Sequence, residues 1–204
     1  MFFDINGLSG KNAYKLMASI VLPRPIAWVV TMKEDGELNA APFSFFNVLS
    51  GDPPVVALGI GHRGAVKKDT RLNIERTGEF VANLVSEPMA EAMNITAVEY
   101  AYHVNEIDQA KLETTSSVKV ATPRIVGAPV ALECRLWKEV DIDGRRSIFL
   151  AHVEGVHVAD DAVIDADKCY VDGFKLDLIG RLHGAGWYVR ADKGFQIVRL
   201  PNPE

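Results

Sequence analysis

Cysteine is scarce in this chain of 204 residues: there are two, Cys134 and Cys169, and neither belongs to a Cys-x-x-Cys pair. That argues against a zinc ribbon or a dithiol redox site, and leaves two buried or half-buried free thiols in a reducing compartment as the expectation. Long apolar runs are missing too. None approaches the ~18 residues needed to cross a bilayer. There is no excess of positive charge: the net charge is −5 and the pI about 5.6, which speaks against a general affinity for nucleic acid. The start, Met-Phe-Phe-Asp-Ile-Asn, lacks a basic region followed by an apolar one and a cleavage site, so a cytoplasmic protein is expected. No internal repeat, low-complexity tract or Ser/Gly linker divides the chain, so one domain over residues 1–204 is expected. Neither a Gly-x-Ser-x-Gly elbow nor a P-loop is present.

What is present is ordinary for a globular chain: 48% hydrophobic and 24% charged residues, enough to build a substantial core. A short helix is expected around residues 13–20, stopped by Pro23 and Pro25. Pro25 to Thr31 is apolar on both faces and reads as a buried strand, with a second at Val55 to Ile60 after Asp52-Pro53-Pro54. Thr70 to Thr77 reads as a helix with Asp69 or Thr70 as N-cap and Gly78 at its end. Glu79 to Val85 follows as a strand, and Ser86-Glu87-Pro88 as a helix start running to about Ala97. Val130 to Val140 alternates, with Val130, Leu132, Cys134 and Leu136 on a dry face and Glu133, Arg135 and Glu139 on a wet one. Asp143-Gly144 turns the chain into a long strand, Ser147 to Val158. Strands outnumber helices without alternating with them, which favours a mainly antiparallel barrel over a doubly wound sheet.

Residues 23–54 carry the most information. After the buried strand and a turn at Asp35-Gly36, the stretch Asn39 to Asn47 mixes small polar residues with Phe43, Phe45 and Phe46, and reads as irregular. Such a mixture suits a flat polar heterocycle, which wants apolar walls and a few edge hydrogen bonds. Backbone N–H groups with Thr31, Asn39, Ser44 and Asn47 can supply those bonds. The plain alternative is a loop capped by Asx turns, and at least one of the three phenylalanines is expected in the core. Further on, Arg63, Lys67 and Lys68 directly precede a helix N-terminus. Unpaired N–H groups and the helix dipole favour an anion there, with a hydroxyl from Thr70; solvated bases around an ordinary cap are the alternative.

Several of these segments resemble one family. Arg24-Pro25-Ile26-Ala27, Asn39 to Asn47, Asp52-Pro53-Pro54, Lys68-Asp69-Thr70 and Gly78 to Val85 occur in the order shown by flavin reductase-like proteins. Gly180-Arg181-Leu182-His183-Gly184, with Tyr188 following, resembles their C-terminal pattern. The resemblance implies an FMN-binding split β-barrel, mainly antiparallel with a few accessory helices, working as a homodimer with the flavin near the interface. The candidate cofactor contacts are then Thr31, Asn39, Ala41, Ser44, Phe45, Asn47, Lys68, Asp69, Thr70 and His183. The implied activity passes hydride or electrons from NAD(P)H through FMN to free flavin, oxygen or another acceptor, with an oxygenase or electron-transfer protein as a partner class. Two alternatives remain open: an FMN electron carrier reduced by a protein partner, and a ligand-binding barrel with no redox role.

One departure matters. Reductases of the family often carry Gly-Asp-His before the strand that here begins near Ser147, and that histidine lies by the nicotinamide; this chain has Asp143-Gly144-Arg145-Arg146. The other histidines suggest no metal. His152 and Glu154 share one strand face and His157 takes the other, so the three converge only if a bulge intervenes. His62 and His183, in glycine-flanked loops, are the better functional candidates, and His103 sits in a polar connector that can cover a ligand.

Overall fold

The computed structural model describes residues 1–200 other than Ala185, so the last four residues of the expected 1–204 span lie outside it. Seven strands form one antiparallel sheet: β1 (Ala27–Met32), β2 (Leu38–Phe43), β3 (Phe46–Gly51), β4 (Pro54–Gly61), β5 (Glu79–Leu84), β6 (Val130–Asp141) and β7 (Arg146–Val158). Their order is β2-β1-β5-β6-β7-β4-β3. The two edge strands, β2 and β3, are therefore successive in the chain, joined by Ser44 and Phe45 alone. A flat sheet of this size would hold its edges about 29 Å apart at ~4.8 Å per neighbour. Two residues reach at most about 7 Å. The sheet must curl until its edges meet, and it does: β2 comes into contact with β4, the neighbour of the other edge strand, and Phe43 of β2 shares the core with Phe46 of β3 and Leu58 of β4. The result is the mainly β, antiparallel split barrel that the resemblance implies.

The barrel interior is apolar. Val29, Phe43, Phe46, Leu58, Phe80 and Phe149 meet there, each contributed by a different strand. The other face of β1 is also dry, because Trp28 and Val30 pack against Met93 of α3 (Ala90–Ile95) and Ile107 of α4 (Glu106–Gln109). This is why β1 reads as apolar on both sides. The Trp28 indole N–H donates to the Thr96 hydroxyl at 2.8 Å, so its burial leaves no orphaned donor. Among the described residues, no helix is long and apolar enough to cross a membrane.

Several expectations need correction. Asn39 to Asn47 is not irregular: most of it belongs to β2 and β3, which form hairpins with β1 and β4, and whose uneven burial leaves no clean alternation in the sequence. The helix expected from Ser86 to about Ala97 is a 3-10 turn (Glu87–Met89) followed by α3. Helix α2 (Asp69–Thr77) takes Lys68 as N-cap, with no side-chain cap bond, because the Thr70 hydroxyl donates instead to Asn39 Oδ1 at 2.8 Å. Glu133 does not face water. It is 0% exposed, because the loop through Val118, Lys119 and Val120 folds over it and donates three backbone N–H bonds to its carboxylate. A register shift opposite Glu133/Cys134 interrupts the alternation of β7, and His157 reaches Glu133, at 2.5 Å, with no metal-binding cluster around it among the described residues. Of the thiols, Cys134 is buried, which pushes its pKa up to about 12 and makes it inert, whereas Cys169 is exposed.

Candidate functional site

Strand β4 has an unusual composition. Val56, Leu58 and Ile60 point into the barrel, so Ala57, Gly59 and Gly61 fall on the outer face. Three small residues in a row leave a strip of nearly bare backbone, and that strip floors a cavity of about 820 Å³. Gly59 is hemmed in: a Cβ there would lie 3.0 Å from that of Phe45. Gly61 is not, its nearest neighbour for an added Cβ being Arg146 Cγ at 3.8 Å. On one side of the strip the wall is Phe45 to Asn47; on the other it is Ser147 and Ile148, at the start of β7. The two walls stand roughly 10 Å apart, two strand spacings. A flat ring fits on such a floor.

The electrostatics are one-sided. In a chain of net charge −5, the cavity is lined by Arg24, Lys68 and Arg146 and, among the described residues, by no carboxylate. Arg24 is 7% exposed, yet its guanidinium donates only to neutral groups: the carbonyls of Ala18 (2.6 Å), Val21 (3.2 Å) and Leu182 (2.9 Å), and Ser44 Oγ (3.3 Å). Among the described residues no carboxylate lies within salt-bridge distance of it. A buried cation without a counter-ion is costly unless a ligand supplies one.

A second cavity of about 390 Å³ adjoins the first, sharing Pro42 and Lys68, and opens at the N-terminus of α2. Of the three basic residues expected there, two are already engaged. Arg63 pairs with Glu99 at 3.0 Å, and Lys67 with Glu75 at 2.7 Å. Lys68 has no salt bridge among the described residues, and its ammonium sits 5.4 Å from the Phe43 ring centroid. With no side-chain cap on α2, the first-turn N–H groups and Lys68 together suit a phosphate.

The expected contact residues divide into groups. Ser44, Phe45, Asn47 and Lys68 line the first cavity, and Phe45, 52% exposed, stacks edge-on with Tyr14 at 6.0 Å. Phe43 and Phe46 are the core members of the aromatic trio. Asn39, Ala41, Asp69 and Thr70 line the second cavity. Thr31 lines neither. It belongs to a buried network in which Asn39 Oδ1 accepts from Thr31 (3.3 Å) and Thr70 (2.8 Å), and Asn73 donates to Thr31 (3.0 Å). Asn39 passes its own N–H to Glu106 at 3.0 Å. Burial pushes the Glu106 carboxyl up, against hydrogen bonds from Asn39 and Ala40 and the nearby Lys33. His183 is exposed, 6.0 Å from the Trp187 ring, and lines neither cavity. The glycine strip, Arg24 and Ser147 were not among the expected residues. The alternation Ala57-Leu58-Gly59-Ile60-Gly61 is a signal that could have found the strip.

The model of the flavin reductase like domain matches residues 17–172 of this architecture. The chain belongs to the flavin reductase-like family. An uncharacterized protein of Deinococcus radiodurans is 41% identical over 203 residues, covering 97% of this chain and 89% of that protein. Two solved structures superimpose with a TM-score of 0.90. One is the 2-nitrobenzoate 2-nitroreductase of Pseudomonas fluorescens, 31% identical with 99% of both chains covered. The other is component B of the nitrilotriacetate monooxygenase of Bacillus cereus, 28% identical, covering 97% of this chain and 98% of that one. The site of this flavin reductase-like protein fits a flavin mononucleotide on its own chemistry: a bare floor for the ring, two cations (Arg24 and Lys68) without a salt bridge among the described residues, and a helix N-terminus with no side-chain cap for the phosphate.

Proposed function

We propose that this protein is an FMN-dependent oxidoreductase of the flavin reductase type. The observation that carries the proposal is the nearly bare strip Ala57-Gly59-Gly61 in a cavity lined by three cations and, among the described residues, no carboxylate. FMN, when bound, supplies hydride acceptance and onward electron transfer; the chain binds, orients and shields it. Ser44, Phe45 and Asn47 form the wall beside the ring, and Lys68 with the first-turn N–H groups at Asp69 and Thr70 holds the phosphate. Thr31 and Asn39 act behind them, fixing Thr70. His183, next to the Leu182 carbonyl that accepts from Arg24, remains a candidate contact. NAD(P)H is the proposed reductant, and free flavin or another small molecule the acceptor, in a cytoplasmic protein of one domain. A monooxygenase component among the structural neighbours makes an oxygenase the partner class to test.

Anaerobic stopped-flow reduction of the FMN-loaded protein tests the activity. Arg145 stands at the hairpin tip where the family's histidine is absent, and at 3.7 Å its pairing with Asp143 is looser than that of Arg146 at 2.7 Å. Its fork suits the 2′-phosphate of NADPH. Slow reduction by NADH and faster reduction by NADPH are expected. NADH outpacing NADPH at equal concentration rules the preference out, and a loaded protein that neither nicotinamide reduces is instead an electron carrier.

The proposed assembly is a homodimer. Tyr14, Met17, Ile20 and Val21 on α1 (Gly10–Ile20) and its end stand exposed, as do Val48 and Leu49 on edge strand β3. A second copy covers both the apolar face and the strand edge. Light scattering is expected to return twice the 22.4 kDa of one chain; a monomer mass at micromolar protein overturns this.

A further inference from the structure

Arg24 is pinned through both its backbone and its side chain. Its backbone N–H and C=O pair with Arg181 at 3.0 and 2.8 Å. Two guanidinium bonds, to the carbonyls of Ala18 and Val21, cap the end of α1, where a cation meets the negative end of the helix dipole. A third goes to the Leu182 carbonyl at 2.9 Å, and a fourth, from Nε, to Ser44 Oγ at 3.3 Å. A guanidinium has five N–H groups, so one, on Nη2, is left without an acceptor among the described residues. The helix end offsets only part of the charge on a side chain this deeply buried.

The state of the Ser44 hydroxyl follows from that contact. Arginine can only donate, so Ser44 Oγ accepts from Arg24 and keeps its own proton for another partner. Among the described residues that proton finds no acceptor. Ser44 lies in the two-residue link between β2 and β3, on the wall of the large cavity. Its neighbour Phe45 is tied to the glycine strip, the Phe45 carbonyl accepting the Gly59 N–H at 2.7 Å. The hydroxyl therefore stands beside the strip, and whatever fills the cavity there receives its proton. A hydroxyl whose oxygen is already bonded to a cation is polarised, and is a stronger donor than a plain serine.

We propose that Arg24 and Ser44 act as one unit, a buried cation passing its charge through a hydroxyl to the ring edge, and that this unit makes the bound flavin easier to reduce. The proposal rests on the flavin reading of the cavity and deepens it. A hydride from NAD(P)H carries two electrons and one proton, so the ring gains one negative charge while the nicotinamide is oxidised. A polarised donor backed by a cation without a counter-ion favours the more negative form of the ring. Lys68, at the phosphate, has no such preference, because the phosphate charge is the same in both redox states. Lys68 thus adds affinity, and Arg24 with Ser44 sets the potential.

The test measures the affinity for oxidised and for reduced FMN under argon, together with the midpoint potential of the bound flavin. Ser44→Ala removes the relay and leaves the three carbonyl bonds of Arg24 in place. It is expected to weaken reduced FMN about tenfold more than oxidised FMN, a fall of roughly 30 mV in the two-electron potential. Arg24→Gln should lower the potential at least as far, but it also uncaps α1, so Ser44→Ala decides the matter if that variant does not fold. A Ser44→Ala potential equal to that of the wild type overturns the proposal. So does an equal loss of affinity for both redox states, which is what a merely structural role produces. A wild-type protein that takes up no FMN sinks the flavin reading and this proposal with it, whereas FMN bound at an unshifted potential in the variant sinks the proposal alone.

Discussion

Gly61→Leu is expected to leave the barrel folded and to weaken FMN at least about 100-fold, which is roughly 2.7 kcal/mol or more. A Cβ at this position meets only Arg146 Cγ at 3.8 Å, an ordinary contact, and Gly61 is a strand residue with no positive φ. Replacing it relieves the conformational entropy of glycine, so the strand does not suffer. The leucine branch instead stands up from the floor on which the ring is proposed to lie. Riboflavin should lose as much as FMN, because the obstruction is at the ring. Lys68→Ala gives the contrast: FMN weakens by about 1.5–3 kcal/mol, the range for charged hydrogen bonds, while riboflavin, lacking the phosphate, hardly changes. Fluorescence titration of both flavins against both variants reads all four affinities. A Gly61→Leu protein that binds FMN like wild type would place the ring elsewhere.

Glu133→Ala is expected to cost about 3–5 kcal/mol of unfolding free energy, the range for removing one partner of a buried pair. The carboxylate is fully buried, accepts from Val118, Lys119 and Val120, and meets His157 at 2.5 Å. A neighbouring carboxylate, Glu79, takes the N–H groups of Ala121 and Thr122 at 2.8 and 2.9 Å. Five consecutive amides, 118–122, therefore hang on two side chains. Burial by itself raises the Glu133 carboxyl, but hydrogen bonds from His157, Val118 and Lys119 outweigh it and hold the group below its ordinary range. A depressed carboxyl contributes stability at neutral pH that is lost as the pH falls through its folded-state value. Urea titrations carried from about pH 6 down to about pH 3 should show that loss in the wild type, setting in below the ordinary carboxylate range, and a shallower one in Glu133→Gln. An alanine variant within about 1 kcal/mol of wild type at neutral pH would show that the loop does not depend on the carboxylate.

The parts of the fold legible in the sequence are those whose cause is local. The apolar strand at β1, the hairpin through Asp143-Gly144 and the helix ending at Gly78 each depend on periodicity or on a turn residue. What escaped has two causes. Strands β2 and β3 pair in hairpins with β1 and β4, but the barrel buries their residues unevenly, so no period-2 pattern marks them, and Glu133 looks solvated because nothing near it in sequence announces the loop that buries it. The candidate site divides in the same way. Ser44, Phe45, Asn47 and Lys68 were visible as a run of unusual residue types, whereas Arg24 and the glycine strip become meaningful only when the curled sheet brings them to one cavity. Thr31 and Asn39 were noticed for the right polarity, but their hydrogen bonds run to one another and to α2.

The cavity is assembled from two sources of unequal independence. Its floor and one wall come from a single stretch, residues 42–61, which also closes the barrel through the short link Ser44-Phe45 between its edge strands. The opposite wall is the tip of a hairpin, residues 142–148, that arrives from much later in the chain. If a flavin lies on that floor, a change in the first source disturbs both its binding and the closure of the barrel, whereas a change at the hairpin tip alters only what else the cavity admits. Arg145-Arg146 is then the place where substrate choice can be altered with the least to break.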